Sequence, residues 1–133
     1  MMSSGAMLQG LASGRGAQGK VSYLSGTLMT SIEFPAETIP DTFSICSVSR
    51  YSNTVSNGQI VTAKDRQWFH GHHTGHTGVA YYGRWMTSEN DAGVPASDWL
   101  VMCGQNGDAP AILANGADVS LKVLDPAAPV HLS

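Results

Sequence analysis

The residues best suited to chemistry are concentrated between Gln67 and Trp85, in the stretch Q-W-F-H-G-H-H-T-G-H-T-G-V-A-Y-Y-G-R-W. This stretch holds four of the five histidines and two of the three tryptophans. Converging imidazoles can bind Zn²⁺ or Cu²⁺, and aromatic rings beside planar polar groups can form a glycan platform. This stretch could therefore bind a metal ion or recognise a glycan.

The histidine spacing has a direct consequence if this stretch is extended. On a strand, His70 and His72 point to the same face, while His73 points to the opposite one. A metal site needs third and fourth ligands, and the nearby chain offers only the carboxylate of Asp65. We therefore expect no bound metal, and we expect His70 and His72 to pack beside tryptophans and to hydrogen-bond backbone or hydroxyl groups.

A glycan site would use the aromatic rings of the same stretch, with histidine, arginine and asparagine side chains bonding the sugar hydroxyls. The alternative is that both tryptophans and one of Tyr81 and Tyr82 belong to the core, because aromatic residues flanked by strand residues are commonly buried. Alternation lets one tyrosine face outward while the other faces inward. The candidate ligand-binding residues are Trp68, His73, His76, Tyr82, Arg84 and Trp85.

Strands must position these side chains. Trp68-Phe69 and Val79 to Tyr82 are β-prone runs, and the Gly, His and Thr residues between them suit a tight turn. Similar short strand patterns, separated by turn residues, recur along the chain and predict an all-β protein, an antiparallel sandwich or barrel. These patterns lie at Lys20 to Phe34, Thr42 to Tyr51, Gln59 to Thr62, Asp98 to Cys103, Ala111 to Ala114 and Asp118 to Leu124.

The chain divides into three parts by composition. Residues 1–19 are rich in Gly, Ser and Ala and predict a flexible or peripheral lead-in, residues 20–124 carry the strand patterns of one domain, and residues 125–133 form a tail with two prolines. Asn57-Gly58 is a strong hairpin signal. Within the domain we expect the core to contain one of the two adjacent tyrosines together with Phe43, Ile45, Trp99 and Val101.

The overall charge excludes one class of partner. The 133 residues carry a net charge of −3, and only 13% of them are charged, about half the usual share. The seven basic residues are scattered, whereas a phosphate backbone needs a basic face, so nucleic acid is not an expected partner. No run of about 18 apolar residues is present, so we expect no membrane span.

Cys46 and Cys103 are the only cysteines of the chain. They could form a disulfide, as in an extracellular domain. The alternative is a pair of buried free thiols, because both lie within apolar strand patterns and free cysteine is commonly buried. The sequence does not supply the Cα separation that would decide between the two.

Five segments occur in an order that resembles a known family. They are Y-L-S-G-T at 23–27, I-P-D-T-F-S-I-C-S-V-S-R-Y at 39–51, W-F-H-G-H at 68–72, G-V-A-Y-Y-G-R-W at 78–85 and D-W-L-V-M-C-G at 98–104. Over residues 21–119 the chain resembles laminin-G-like domains of the concanavalin A-like lectin/glucanase superfamily, a type abundant in algae and other marine protists.

The resemblance implies an antiparallel two-sheet jelly roll that binds glycans or proteins, at the cell surface or outside the cell, with an organelle-associated complex as the alternative. Both ends of the chain are shorter than is usual in such domains, so the jelly roll is expected to be incomplete there. These domains often bind calcium, which needs several oxygen ligands around one loop. The candidate calcium ligands are Asp91, Asp98, Asn106, Asp108 and Asp118.

The sequence predicts a binding module and not an enzyme. The glycosidase branch of the family carries an acidic strand pattern that is missing here, and Glu89 and Asp91 lie in a polar loop although their spacing suits two catalytic carboxylates. The alternative function is a structural or accessory subunit of a larger assembly. Because missing strands leave an unpaired sheet edge, we expect another polypeptide to cover at least one edge or face.

Overall fold

The computed structural model describes residues 2–5, 7–52, 58–90 and 95–121. Within these ranges the chain forms strands and no helix, so the described part contains no helix that could span a membrane. The strands are β1 (Met2–Ser4), β2 (Leu8–Gly14), β3 (Ala17–Ser25), β4 (Ser31–Glu33), β5 (Ser44–Ser49), β6 (Val61–Thr62), β7 (Trp68–His73), β8 (His76–Tyr82), β9 (Leu100–Gln105), β10 (Ala111–Ala114) and β11 (Ala117–Asp118).

Two antiparallel sheets form the body of the protein. The larger sheet has the strand order β11-β10-β9-β5, and the smaller has the order β6-β7-β8. Strands β7 and β8 pack against β9, which gives a sandwich-like arrangement of two layers. The remaining strands form two separate ladders, β2-β3 and β1-β4, which are also antiparallel. The prediction of an all-β antiparallel protein is confirmed.

The core lies between these two layers, and alternation along β9 decides which residues enter it. Leu100 and Met102 are fully buried, together with Ile112 of β10 and Ala80 of β8. The prediction that Val101 is a core residue is wrong, because Val101 points to the opposite face and is 50% exposed. Four further residues from the expected core are half-buried: Phe43, Ile45, Tyr82 and Trp99.

The segment expected to be a flexible or peripheral lead-in, residues 1–19, instead carries β1, β2 and the start of β3. The β2-β3 ladder runs from the pair Leu8 and Ser25 to the pair Gly14 and Ala17. Arg15 and Gly16 have positive φ angles of 56° and 88° and make the two-residue turn that a hairpin favours. Most side chains of β2 are exposed, so no alternating apolar pattern marks this strand in the sequence. The tail at 125–133 and Asn57 of the expected turn lie outside the described residues.

A disulfide joins two neighbouring strands of the larger sheet, β5 and β9. Cys46 of β5 lies directly opposite Cys103 of β9, with their Cα atoms 4.1 Å apart, and the two are bonded. Cys46 is exposed and Cys103 is half-buried, so the bridge lies on the face that points away from the core. The structure therefore shows the disulfide, and the alternative of two buried free thiols is wrong. We call this surface the outer face of the larger sheet; its residues include Cys46, Val48, Val101, Cys103 and Leu113.

Replacing Trp99 by alanine should lower the free energy of unfolding by about 2 kcal/mol, less than the roughly 3–5 kcal/mol typical of a fully buried tryptophan. The indole is half-buried and contacts the Tyr23 ring at 6.1 Å and the Arg50 guanidinium at 5.3 Å. Urea denaturation of Trp99→Ala measures the loss, with Val101→Ala as the control for a half-exposed neighbour. A loss equal to that of the control, or one above about 4 kcal/mol, would contradict this placement.

Candidate functional site

The histidine-rich stretch forms the β7-β8 hairpin, as its aromatic and glycine residues predict. Thr74 and Gly75 make the two-residue connection, with φ angles of 46° and 87°. Gly78, at a φ of 84°, is an extra residue on β8, since Gly71 pairs with Val79 while His72 pairs with Thr77. A bulge of this kind re-aims the neighbouring side chains. Glycine is suited to both positions because they require the left-handed region.

The two faces of the hairpin carry different aromatic groups. Trp68, His70 and Tyr82 face the larger sheet, where the Trp68 and Tyr82 rings stack with centroids 5.3 Å apart. The ring of Phe43 closes this group at 5.0 Å from Tyr82, in an edge-on arrangement. The opposite face carries Phe69, His73, Tyr81 and Trp85. The expectation that one of the two adjacent tyrosines faces inward and the other outward is thus met.

His70 connects the two layers by hydrogen bonds. Its Nε2 lies 3.1 Å from the carbonyl oxygen of Met102, and because a carbonyl only accepts, Nε2 carries the proton and donates. Nδ1 is then the acceptor for the Tyr82 hydroxyl at 2.6 Å. Burial lowers the pKa of His70 despite the bond to Met102, and burial raises the pKa of Tyr82. Both groups are therefore neutral near pH 7, as a buried interlayer bridge requires.

His72 is fully buried but only partly hydrogen-bonded. Its Nδ1 lies 3.3 Å from the Ser49 hydroxyl, and its ring meets that of Tyr51 edge-on at 4.6 Å. Its Nε2 has no hydrogen-bond partner among the described residues. Burial, and secondarily the charge that His70 would carry, lowers the pKa of His72 to about 4. The imidazole is consequently neutral and holds the end of β5 against β7.

The described residues contain no group of three or more histidine, cysteine or acidic side chains that could hold a metal ion. The described members of the candidate calcium set do not form such a group either. Asn106 accepts a hydrogen bond from the Phe43 N–H and donates one to the Asp41 carbonyl, while Asp118 accepts from the Ser120 N–H. Asp98 lies in the turn before β9, and Asp91 lies outside the described residues.

The opposite face of the hairpin forms a continuous aromatic surface, which we call the outer aromatic face (Phe69, His73, Tyr81 and Trp85). Phe69 is its centre, 5% exposed, with the imidazole of His73 stacked on it at 4.4 Å. Tyr81 lies 5.9 Å from Phe69, and Trp85 stands edge-on to both of these rings at 5.5 to 5.6 Å. Three of the four rings are half-buried, so each presents part of its surface to solvent.

Polar groups border this aromatic surface in a fixed orientation. The Thr62 hydroxyl donates to Gln59 Oε1 at 2.6 Å, which directs Gln59 Nε2 toward His73 Nδ1 at 3.1 Å. Because Nδ1 accepts, the ring proton of His73 lies on Nε2. His76 is the cross-strand neighbour of His73 and is half-buried, and Arg84 is exposed in the turn after β8.

The structure brings together some of the expected ligand-binding residues and separates others. His73 and Trp85 meet at 6.2 Å on the outer aromatic face, with His76 opposite His73 on the neighbouring strand, while Arg84 precedes Trp85 in the exposed turn after β8. Trp68 and Tyr82 instead pack between the layers, since Trp68 is only 7% exposed and Tyr82 bonds His70. The sequence reasoning missed Phe69 and Gln59, while Tyr81 is the outward-facing one of the two adjacent tyrosines. Alternation places Phe69 on the face of His73 and could have identified it.

The outer aromatic face therefore combines apolar ring surface with imidazole and amide groups. These groups can pack against a ligand and can form hydrogen bonds with it. Comparison with known proteins gives no match for this chain, whether to a protein-family model, a curated protein or a solved structure.

Proposed function

We propose that the protein is a non-catalytic recognition module that binds a glycan on the outer aromatic face. The observation that carries the proposal is the meeting of His73, Tyr81 and Trp85 around Phe69 on the side of the hairpin that points away from the core. The sandwich-like packing of two antiparallel sheets supports, as part of the same proposal, a jelly roll related to laminin-G-like domains. The Cys46–Cys103 bridge suits the extracellular setting that this relation implies.

The ring geometry supports a sugar more than a flat aromatic ligand. A pyranose presents C–H groups on its faces and hydroxyls around its rim, so one face packs on an aromatic ring while the rim needs polar partners. Trp85 stands edge-on to Phe69 at 76° and to Tyr81 at 85°, which forms a corner and not a parallel slot. Gln59 supplies a planar amide beside His73, and the exposed Arg84, next to Trp85 in the chain, is the candidate for a second planar polar group, in the manner of sites with few, well-placed polar groups.

Catalysis is not part of the proposal. Glycoside hydrolysis needs two carboxyl groups facing each other across the scissile bond. Glu89 is exposed in the loop after β8, and Asp91, the second residue of that pair, lies outside the described residues. The rings and amides of the outer aromatic face can bind and orient a sugar but cannot act as a paired acid and nucleophile.

A second candidate function, an accessory subunit of a larger assembly, is favoured by a different observation. Many large apolar side chains are exposed on the described surface, and contiguous apolar patches commonly mark protein interfaces. The most exposed of these are Leu8, Leu11, Leu24, Leu28, Met29, Phe34 and Val48. The two candidates are compatible, because this surface and the outer aromatic face involve different residues.

Replacing Trp85 by alanine should weaken glycan binding about tenfold or more, because the variant loses the ring that forms the corner. We would screen the full chain on a glycan array and then titrate the bound glycans while recording tryptophan fluorescence. Trp99→Ala is the matched control, since Trp99 lies at the other side of the sandwich, and it should bind as the wild type does. A wild-type chain that binds no glycan, or an unchanged affinity of Trp85→Ala, would overturn the proposal.

A further inference from the structure

A groove of about 760 Å³ runs between the β2-β3 hairpin and the outer face of the larger sheet. It lies on the side of the sandwich opposite the outer aromatic face, because the two sheets pack through their inner faces. At one end of the groove the hairpin turn is bonded to the segment before β9, since the Trp99 N–H donates to the Arg15 carbonyl at 2.8 Å. It is therefore a feature of the fold that the proposed glycan site does not use.

One wall of the groove is the edge of β3 and not its face. All six consecutive residues from Gly16 to Val21 line it, whereas a strand face would contribute only every second residue. Within the described residues β3 pairs with β2 alone, so no strand there pairs with the N–H and C=O groups on the other side of β3. A β-carbon built on Gly19 would meet no atom within 4 Å. The wall thus presents an accessible strand edge.

The floor of the groove is apolar and comes from the larger sheet. Val48 and Val101 form a cross-strand pair there, with 59% and 50% of their surfaces exposed. Ala114 and Ala117 also line the groove, but Ala114 is 3% exposed and its side chain belongs to the core, so the two valines form the apolar floor. An extended chain laid along β3 would place alternate side chains on this floor, and burying them there is favourable.

Asp98 gives the groove a carboxylate beside Gly16, and Lys20, the other charged residue of its lining, lies four positions further along the chain from Gly16. Asp98 is half-buried in the wall, with its Oδ2 3.7 Å from the position that a β-carbon on Gly16 would take. The only ion pair within the described residues joins Lys64 to Glu33, so Asp98 has no cationic partner there. A cationic group of the occupant would complement it, and hydrogen bonds to a charged group are among the stronger ones.

We propose that this groove binds an extended peptide segment of a partner polypeptide by strand addition. The segment pairs its main chain with the free edge of β3 and packs alternate apolar side chains on Val48 and Val101. It places a lysine or arginine side chain against Asp98. Main-chain pairing supplies affinity in this mode, while the apolar floor and the carboxylate supply specificity.

The test uses the full chain and a synthetic library of fluorescent heptapeptides that alternate apolar residues with threonine and carry lysine, serine or glutamate at one end. Fluorescence anisotropy should show saturable binding that favours lysine over glutamate by about tenfold or more. Asp98→Asn should remove this preference, and Asp98→Lys should reverse it. Trp85→Ala should leave peptide binding unchanged, which separates this inference from the proposed glycan site.

Strand addition also predicts which amide groups of the same peptides are needed for binding. Only alternate amides of an added strand donate to its neighbour. Methylating the amide nitrogens of one parity should therefore abolish binding, and methylating the other parity should leave it within about threefold. The proposal is overturned if no peptide binds saturably, if both methylated series bind alike, or if Asp98→Asn keeps the preference for lysine.

Discussion

Replacing Cys46 and Cys103 together by alanine is expected to lower the free energy of unfolding by about 4 kcal/mol. The bridge joins residues 57 positions apart, and it therefore restricts a long loop of the unfolded chain. It also ties β5, a strand at the edge of its sheet, to β9, whose residues Leu100 and Met102 lie at the centre of the core. Loss of the bridge leaves β5 held by backbone pairing and by the Ser49 contact with His72.

Urea denaturation of the double alanine variant, compared with the oxidised wild type, measures this loss. The matched control is the double variant of Val48 and Val101 to alanine, because these two residues form a cross-strand pair on the same face but close no loop. The control should lose only about 1 kcal/mol, since both side chains are half-exposed. A cysteine-free variant as stable as this control, or free thiols detected by mass spectrometry in the native chain, would refute the expectation.

The histidine hairpin could be predicted from the sequence because its determinants are local. The Thr74-Gly75 turn and the aromatic runs on either side of it set two strands whatever the rest of the chain does. Alternation then put His70 and His72 on one face and His73 on the other. Their hydrogen bonds to the Met102 carbonyl and the Ser49 hydroxyl are of the kinds expected for packed histidines.

The choice of the covered face could not be predicted in the same way. From Trp99 to Met102 every residue is apolar, so both faces of β9 are equally suited to burial, and only the packing of the β7-β8 hairpin selects Leu100 and Met102. The same limit applies to Trp68 and Trp85. Both are expected beside His70 and His72, but Trp68 alone packs between the layers, whereas Trp85 lies against Phe69 and His73 on the outer aromatic face.

Elements stabilised by pairing alone were also missed. Strand β2 carries little apolar alternation, and its Gly, Ser and Ala composition predicts a flexible or peripheral lead-in. Strand β2 nevertheless pairs with β3 across the Arg15-Gly16 turn, in a ladder of six register pairs. The groove beside this hairpin combines residues 16–21 with Asp98 and two valines of the larger sheet, and no local pattern relates segments so far apart.

The stability of the protein is expected to fall as the pH falls from 6.5 toward 4. The imidazole of His72 has a pKa of about 4 in the folded chain and 6.5 otherwise, because burial opposes its charged form. Over this interval the unfolded state binds more protons than the folded state, so acid favours unfolding. The difference between the two pKa values corresponds to a loss of about 3 kcal/mol in the free energy of unfolding. This loss is absent above pH 6.5 and complete below pH 4. His70, whose pKa is also lowered by burial, acts in the same direction.

Urea denaturation between about pH 7.5 and pH 4 measures this dependence, with one variant that removes it and one that should not. His72→Gln keeps a polar group near the Ser49 hydroxyl but cannot be protonated, so its stability should decline less steeply by about 3 kcal/mol over the interval. Val101→Ala removes no titratable group and leaves both buried imidazoles, so its profile should run parallel to that of the wild type. Parallel profiles for His72→Gln and the wild type would show that His72 is not held neutral by burial, and the placement of its ring between β5 and β7 would then be wrong.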